Sequence, residues 1–112
     1  MKENLIKTKS YNFALRSVKL YKYLVLEKKE FILSKQLVKS ATSVGANVEE
    51  ADAGQSKRDF IAKMQISLKE AKESHYWIRL LRDSEILDSK MSISLLKDCI
   101  EVISIVTSIL KS

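Results

Sequence analysis

The fold of this chain is decided by residues 34–81, SKQLVKSATSVGANVEEADAGQSKRDFIAKMQISLKEAKESHYWIRLL, which have the pattern of two helices hinged at Gly54. In the first of them, apolar side chains recur every three or four residues at positions 37, 41, 44, 48 and 51, which places them on one stripe of a helix. Small residues surround that stripe, among them Ser40, Gly45 and Ala46. They predict a helix that packs closely against a neighbour.

Two further helical segments flank this pair, within a single domain that covers residues 1–112. The periodicity predicts helices over about 10–26, 34–53, 57–82 and 89–110. Ser34 and Ser56 are the predicted N-caps of the second and third helices, and Asp88 or Ser89 caps the fourth. Because the connections are short, neighbouring helices should run antiparallel. The predicted fold class is therefore all-α, an antiparallel up-down four-helix bundle.

Composition narrows the class of protein. The chain has 112 residues, 46% apolar and 30% charged, with two glycines and no proline, which is typical of one ordered helical domain. No apolar run approaches the roughly 20 residues of a membrane span, and the first residues lack the apolar core of a secretion signal. The single cysteine, Cys99, excludes an internal disulfide and fits a reducing compartment. We expect a cytoplasmic protein with no membrane partner.

The net charge of +6 is unevenly spread along the chain. Residues 1–39 hold ten Lys/Arg and three Asp/Glu, whereas residues 40–112 hold ten and eleven. The basic excess therefore lies in the first helix and the connection after it. Such asymmetry indicates an anionic partner, and the alternative is a basic face that is merely solvated.

Two helices present cations together with an aromatic ring. The candidate nucleic-acid-binding residues are Lys9, Arg16, Lys19, Lys22 and Tyr23 on the first helix, and Arg58, Lys69, Lys72, Tyr76 and Arg79 on the third. Lysine and arginine can contact phosphates, and the rings can stack on unpaired bases. This pattern predicts binding of RNA or DNA. The alternative function is a protein-partner scaffold or adaptor that binds no nucleic acid.

The third helix is apolar on two sides. Its predicted inward stripe comprises Phe60, Met64, Leu68, Ala71, His75 and Ile78. Its second strip comprises Ile66, Trp77, Leu80 and Leu81. A helix that is apolar on two sides must bury both, and exposed aliphatic patches usually mark an interface. The second strip is therefore the candidate interface of a homo-oligomer, unless the helical phase drifts and these residues belong to the bundle core.

The sequence argues against an enzyme. A di-iron bundle needs Glu-x-x-His on two helices, but the only histidine is His75, and its spacing from Glu73 is wrong for that motif. There is no cysteine cluster for zinc, and Cys99 has the character of a small apolar residue. We therefore predict no catalytic residue, no metal site and no cofactor.

Several segments together resemble a known family. Residues 40–51, 56–60, 67–74 and 76–77 are similar to the bacterial four-helix-bundle proteins encoded in 23S rRNA intervening sequences. The resemblance covers about Phe13 to Leu87. It implies an antiparallel bundle that assembles into a five-fold ring, a homopentamer with a central pore.

The resemblance also implies partners and a polar network. A related protein, the accessory variability protein of diversity-generating retroelements, binds nucleic acid and its reverse transcriptase through a basic outer surface. Asn47, Glu50 and Glu73 match the polar signature positions of the family. A carboxylate at a helix seam is costly unless it is paired, so the expected role of these three residues is a hydrogen-bonded network that fixes the register of the second and third helices.

Overall fold

The computed structural model describes residues 2–112; Met1, which belongs to the predicted domain, lies outside them. The elements are α1 (Lys2–Leu26), α2 (Leu33–Asp52), α3 (Lys57–Asp83) and α4 (Ser89–Lys111). Both α1 and α3 pack against α2 and α4, so α1 and α3 occupy diagonal corners of a bundle that measures 43 × 20 × 18 Å. The predicted all-α four-helix bundle is confirmed. Among the described helices, none has the length and apolar character that crossing a bilayer requires.

The first helix is longer than the sequence predicted. It begins at Lys2 rather than near Ser10, and Ile6, one turn before Ser10, is fully buried in the core. Residues 2–9 are mostly polar, and the inward side of this first stretch has only one large apolar side chain. One apolar residue cannot show a helical repeat, so the sequence pattern placed the start of this helix too far along the chain.

Serine hydroxyls occupy much of the helix interfaces. The buried polar residues are Ser10, Ser17, Ser34, Ser40, Ser67, Ser74 and Ser92. Across the α2–α3 seam, the hydroxyls of Ser40 and Ser74 lie 2.8 Å apart, and the Ser67 hydroxyl donates to the Val44 carbonyl at 3.0 Å. Because serine is small, these positions let the helix backbones approach one another closely, as the small residues of α2 predicted.

Two of the predicted N-caps are confirmed. The Ser56 side chain accepts from the Asp59 backbone N–H at 3.1 Å, and the Asp88 side chain accepts from the Met91 N–H at 2.8 Å. These hydrogen bonds satisfy donors that the first turn of a helix leaves without a partner.

The predicted N-cap at Ser34 is wrong. Helix α2 begins at Leu33, and the Glu30 carboxylate accepts from the backbone N–H groups of Ile32, Leu33 and Ser34 at 3.1, 3.0 and 2.7 Å. Lys29 has a left-handed backbone conformation, with a φ of 56°. This turn places the Glu30 carboxylate beside the first N–H groups of α2. Partial burial alone would raise the pKa of Glu30, but the backbone N–H groups of these residues lower it below its usual value.

Replacing Glu30 with glutamine should therefore weaken the start of α2. We expect the free energy of unfolding to fall by about 0.5–2 kcal/mol at pH 7. A lowered folded-state pKa contributes stability that is present above the unfolded pKa of about 4.3 and is lost as the pH falls through the folded value. Urea denaturation between pH 7 and pH 3 should show the two proteins converging in acid. Glu27→Gln, at an exposed position, is the control, and equal losses at both positions would contradict the cap.

Candidate nucleic-acid interface

The cations of α1 divide into two groups. Lys9 pairs with Glu101 at 3.1 Å, and Arg16 pairs with Asp98 at 2.6 Å, so both side chains tie α1 to α4. Lys19 and Lys22 are exposed. Two of the four cations predicted on this helix, Lys9 and Arg16, are thus in ion pairs within residues 2–112, whereas Lys19 and Lys22 are not.

The candidate residues of α3 are all exposed and lie on one side of the helix. They are Arg58, Lys69, Lys72, Tyr76 and Arg79. At about 100° per residue, these side chains fall within one outward sector of the helix, on the side of α4. None of these four cations is in an ion pair with a carboxylate of residues 2–112. The structure therefore groups the α3 candidates as predicted.

A small cluster of rings lies at the C-terminal end of this group. The Arg79 guanidinium is 5.8 Å from the centroid of the Tyr76 ring, and its Nε donates to Nδ1 of His75 at 3.0 Å. Tyr76 meets Trp77 edge to face, with ring centroids 5.0 Å apart. His75 was predicted in the core stripe, and the structure places it half-buried at the edge of α3 instead. Partial burial and then the charges of Arg79 and Arg82 lower its pKa.

The charges of α3 are segregated around its axis. Ser67 and Ser74 face α2, and the Ala71 carbonyl faces α4, where it accepts from the Cys99 thiol at 3.2 Å. Relative to these contacts, Glu70 and Glu73 lie on the side of α3 toward α2. The cations of α3 that form no ion pair within residues 2–112 lie on the side toward α4. The helix therefore directs positive charge toward one corner of the bundle.

The corner of the bundle toward which these cations point is occupied by α4, which packs between α1 and α3. Its exposed side carries Lys90, Lys97 and Lys111, and its carboxylates Asp98 and Glu101 are held by α1. The cationic surface comprises the exposed cations of three helices: Lys19, Lys22, Arg58, Lys69, Lys72, Arg79, Lys90, Lys97 and Lys111. Sequence reasoning missed the α4 lysines, although their separation by multiples of seven residues places them on one face of a helix.

The predicted polar network is formed only in part: Glu50 bonds to the third helix as expected, whereas Asn47 and Glu73 bond within their own helices. Asn47 donates to the carbonyl and the hydroxyl of Ser43 on its own helix at 2.8 and 3.1 Å. Glu50 is exposed and pairs with Lys63 of α3 at 2.8 Å, rather than with Ser43 and Asn47. Because this ion pair is open to solvent, it contributes little to stability.

The third member of that predicted network lies apart from the other two. Glu73 accepts from the indole N–H of Trp77 at 3.0 Å, one turn along the same helix. The register of α2 against α3 is instead fixed by buried hydroxyls, Ser40 with Ser74 and Ser67 with the Val44 carbonyl. Serine in an apolar stripe was the available signal, because a short hydroxyl can bond to a backbone carbonyl of its own helix and remain buried.

The predicted oligomer interface is wrong in part. Leu81 is fully buried in the core of a single chain, and Trp77 packs against that core. Leu80 is half-buried, and only Ile66, with 41% of its surface exposed, is substantially open to solvent. The predicted inward stripe of α3 included His75 and omitted Ser67 and Ser74, because serines were not counted as core residues. The predicted buried face was therefore rotated about the helix axis, away from α2.

The thiol of Cys99 is inside the bundle. Its contact with the Ala71 carbonyl and its burial keep it protonated, and burial, followed by the charge of Asp98, raises its pKa to about 12. A thiol in this state is neither a nucleophile nor a metal ligand at neutral pH.

Comparisons with known proteins agree with this fold. The family model described as 23S rRNA-intervening sequence protein matches residues 2–108. A crystal structure from Bacteroides thetaiotaomicron, of a protein with unknown function from the S23 ribosomal protein family, is 47% identical. The match covers 100% of both chains, with a TM-score of 0.98. No curated protein matches significantly. The chain therefore belongs to the 23S rRNA-intervening sequence protein family.

Proposed function

We propose that this protein is a non-enzymatic, nucleic-acid-binding helical bundle of the cytoplasm that holds RNA or DNA by its phosphates. The observation that carries the proposal is the cationic surface, which extends from α3 across α4 to the C-terminal half of α1. The carboxylates of α4 that could neutralise it are already paired with Lys9 and Arg16. A phosphate chain that lies on such a surface releases condensed counterions, and this release drives binding without regard to sequence.

The α3–α4 part of this surface should contribute most. Lys69, Lys72 and Arg79 are exposed and unpaired within residues 2–112, whereas Arg16 is held by Asp98. Arg79 and Tyr76 also form a pair of flat groups on which an unpaired base can stack. Binding therefore combines phosphate contacts with some preference for exposed bases.

The absence of catalysis in this proposal is supported by the state of the two most reactive side chains. The thiol of Cys99 is buried and protonated. The His75 imidazole already uses Nδ1 to accept from Arg79. Neither side chain is arranged to activate a substrate.

We also propose that copies of the chain associate. Large apolar side chains remain exposed on α1 and in the connection that follows it: Tyr11 (66%), Leu26 (63%), Phe31 (56%) and Ile32 (74%). Covering such residues stabilises an assembly, and an oligomer would repeat the cationic surface. The same side chains also support the alternative function, a scaffold that binds a protein partner and no nucleic acid.

The test is a charge reversal of the α3 part of the surface. Replacing Lys69, Lys72 and Arg79 with glutamate should weaken binding to structured RNA and to duplex DNA by at least about tenfold, alike for different sequences. The slope of log affinity against log salt should fall by about 3, roughly one for each lost phosphate contact. Fluorescence anisotropy over a range of salt concentrations measures both, and light scattering of the same samples measures mass.

The matched control reverses three exposed lysines outside this surface, Lys28 in the α1–α2 connection and Lys35 and Lys39 on α2. It changes the net charge by the same amount, so equal weakening by both variants would mean that only overall charge matters. If the wild type binds no nucleic acid at about 50 mM salt, the scaffold function replaces this one. A wild-type mass of a single 12.8 kDa chain would contradict self-association.

A further inference from the structure

A cleft of about 490 Å³ opens between the C-terminal half of α1 and the start of α4. Its floor is apolar, because Leu20 and Leu87 belong to the buried core. Its walls are Tyr23 and Met91, each with 44% of its surface exposed. A cleft of this size with an apolar floor and a few polar groups is typical of a small-molecule site.

The polar groups at the rim have fixed positions. Arg16 donates to Asp98 at 2.6 Å, and its other terminal nitrogen lies 3.6 Å from the Met91 sulfur, so the guanidinium is held beside the cleft. Asp88 uses one carboxylate oxygen to cap α4 through the Met91 N–H at 2.8 Å. The second oxygen has no hydrogen-bond partner among residues 2–112 and can accept from a ligand.

The charges around the cleft cancel. Arg16 and Lys19 are balanced by Asp88 and Asp98, so the cleft itself is a poor site for a phosphate. It suits an uncharged planar group with an apolar face and an N–H donor on its edge. Lys19 at the rim of the cleft and Lys22 farther out on α1 are both exposed, so they could hold anionic groups attached to that planar group.

We propose that this cleft receives one unpaired nucleobase of a bound strand. The base stacks on Tyr23 and packs against Leu20 and Met91, an N–H of its edge donates to Asp88, and the flanking phosphates lie along Lys19 and Lys22. This proposal rests on the proposed nucleic-acid binding and adds that the preferred ligand is single-stranded or looped. A base within a duplex is stacked and paired, so it cannot enter the cleft.

The experiment compares Tyr23→Ala with Tyr11→Ala, an exposed tyrosine of the same helix outside this cleft. Anisotropy is measured with a labelled single-stranded RNA and with a duplex of the same sequence. Tyr23→Ala should weaken binding of the single strand by about 5- to 100-fold, the range for loss of one stacked base, and should change duplex binding less than about twofold. Tyr23→Phe should bind like the wild type, and Tyr11→Ala should leave the ratio of the two affinities unchanged.

Other results would overturn the proposal and identify which part fails. If both nucleic acids bind the wild type but Tyr23→Ala leaves their ratio unchanged, the cleft is not used and the cationic surface stands alone. If the wild type binds neither, the proposed function fails together with this one. A free mononucleotide that binds as tightly as the strand would assign the cleft to a soluble nucleotide instead. Because Tyr23 is partly exposed, thermal unfolding of Tyr23→Ala should match the wild type.

Discussion

Replacing Leu81 with alanine should lower the free energy of unfolding by about 2–5 kcal/mol, the range for truncating a buried leucine. Leu81 is 0% exposed, and its backbone carbonyl accepts from the N–H groups of Ile86 and Leu87 at 3.0 and 3.1 Å. The side chain therefore fills the core where the chain turns from α3 to α4. Urea denaturation followed by circular dichroism measures the change.

The matched control is Leu80→Ala, at the half-buried neighbour of the same residue type. Its loss should be clearly smaller, because less apolar surface is removed from contact with the core. Light scattering separates the two possible roles of Leu81. If Leu81→Ala reduced the mass of an assembly but left the unfolding free energy unchanged, Leu81 would lie between subunits after all.

Replacing Gly45 with leucine should destabilise the protein by about 1–3 kcal/mol or more, because it overfills a close seam. A Cβ atom at Gly45 would lie 3.4 Å from the Ser10 carbonyl oxygen and 3.9 Å from the Ala14 Cβ atom, both on α1. Alanine fits at these distances as an ordinary contact. Gly45→Ala should be neutral or should stabilise by up to about 1 kcal/mol, since alanine favours a helix over glycine.

Ala46→Leu provides the control, because Ala46 is the next residue of α2 and is exposed. Its effect should lie within about 0.5 kcal/mol. Thermal unfolding of the wild type and the three variants ranks their stabilities. Tolerance of leucine at Gly45 would mean that α1 and α2 can separate without loss, and the close approach would then not be a source of stability.

The helices were predictable because their signals are local. Ser56 and Asp88 cap the helices that directly follow them, and the spacing of apolar residues in α2 matches its buried face. Glu30 was not predictable as a cap, because its reach depends on the left-handed turn at Lys29.

The candidate site was predictable on α3, where one helix presents the whole group, and at Lys19 and Lys22 of α1. On α1, the pairing of Arg16 with Asp98 joins residues that are 82 positions apart, and no local pattern reports it. Likewise, the cationic surface depends on α4 lying between α1 and α3, which follows from the packing order and not from any one segment. Buried serines concealed the true inward face of α3, because their hydroxyls are satisfied by carbonyls and by one another.

Because charge is segregated around α3, the electrostatic field of a nearby polyanion would favour one orientation of the protein. Unpaired cations surround α4, whereas the side of α2 carries Lys35 and Lys39 together with Glu50, Glu70 and Glu73, so positive charge is concentrated on the α4 side. A polyanion would therefore exert a torque that turns α4 toward it before contact, and encounter would be steered as well as fast. The outer side of α2 would then face solvent in every such encounter, which leaves that side of the molecule open to a second contact while the first persists.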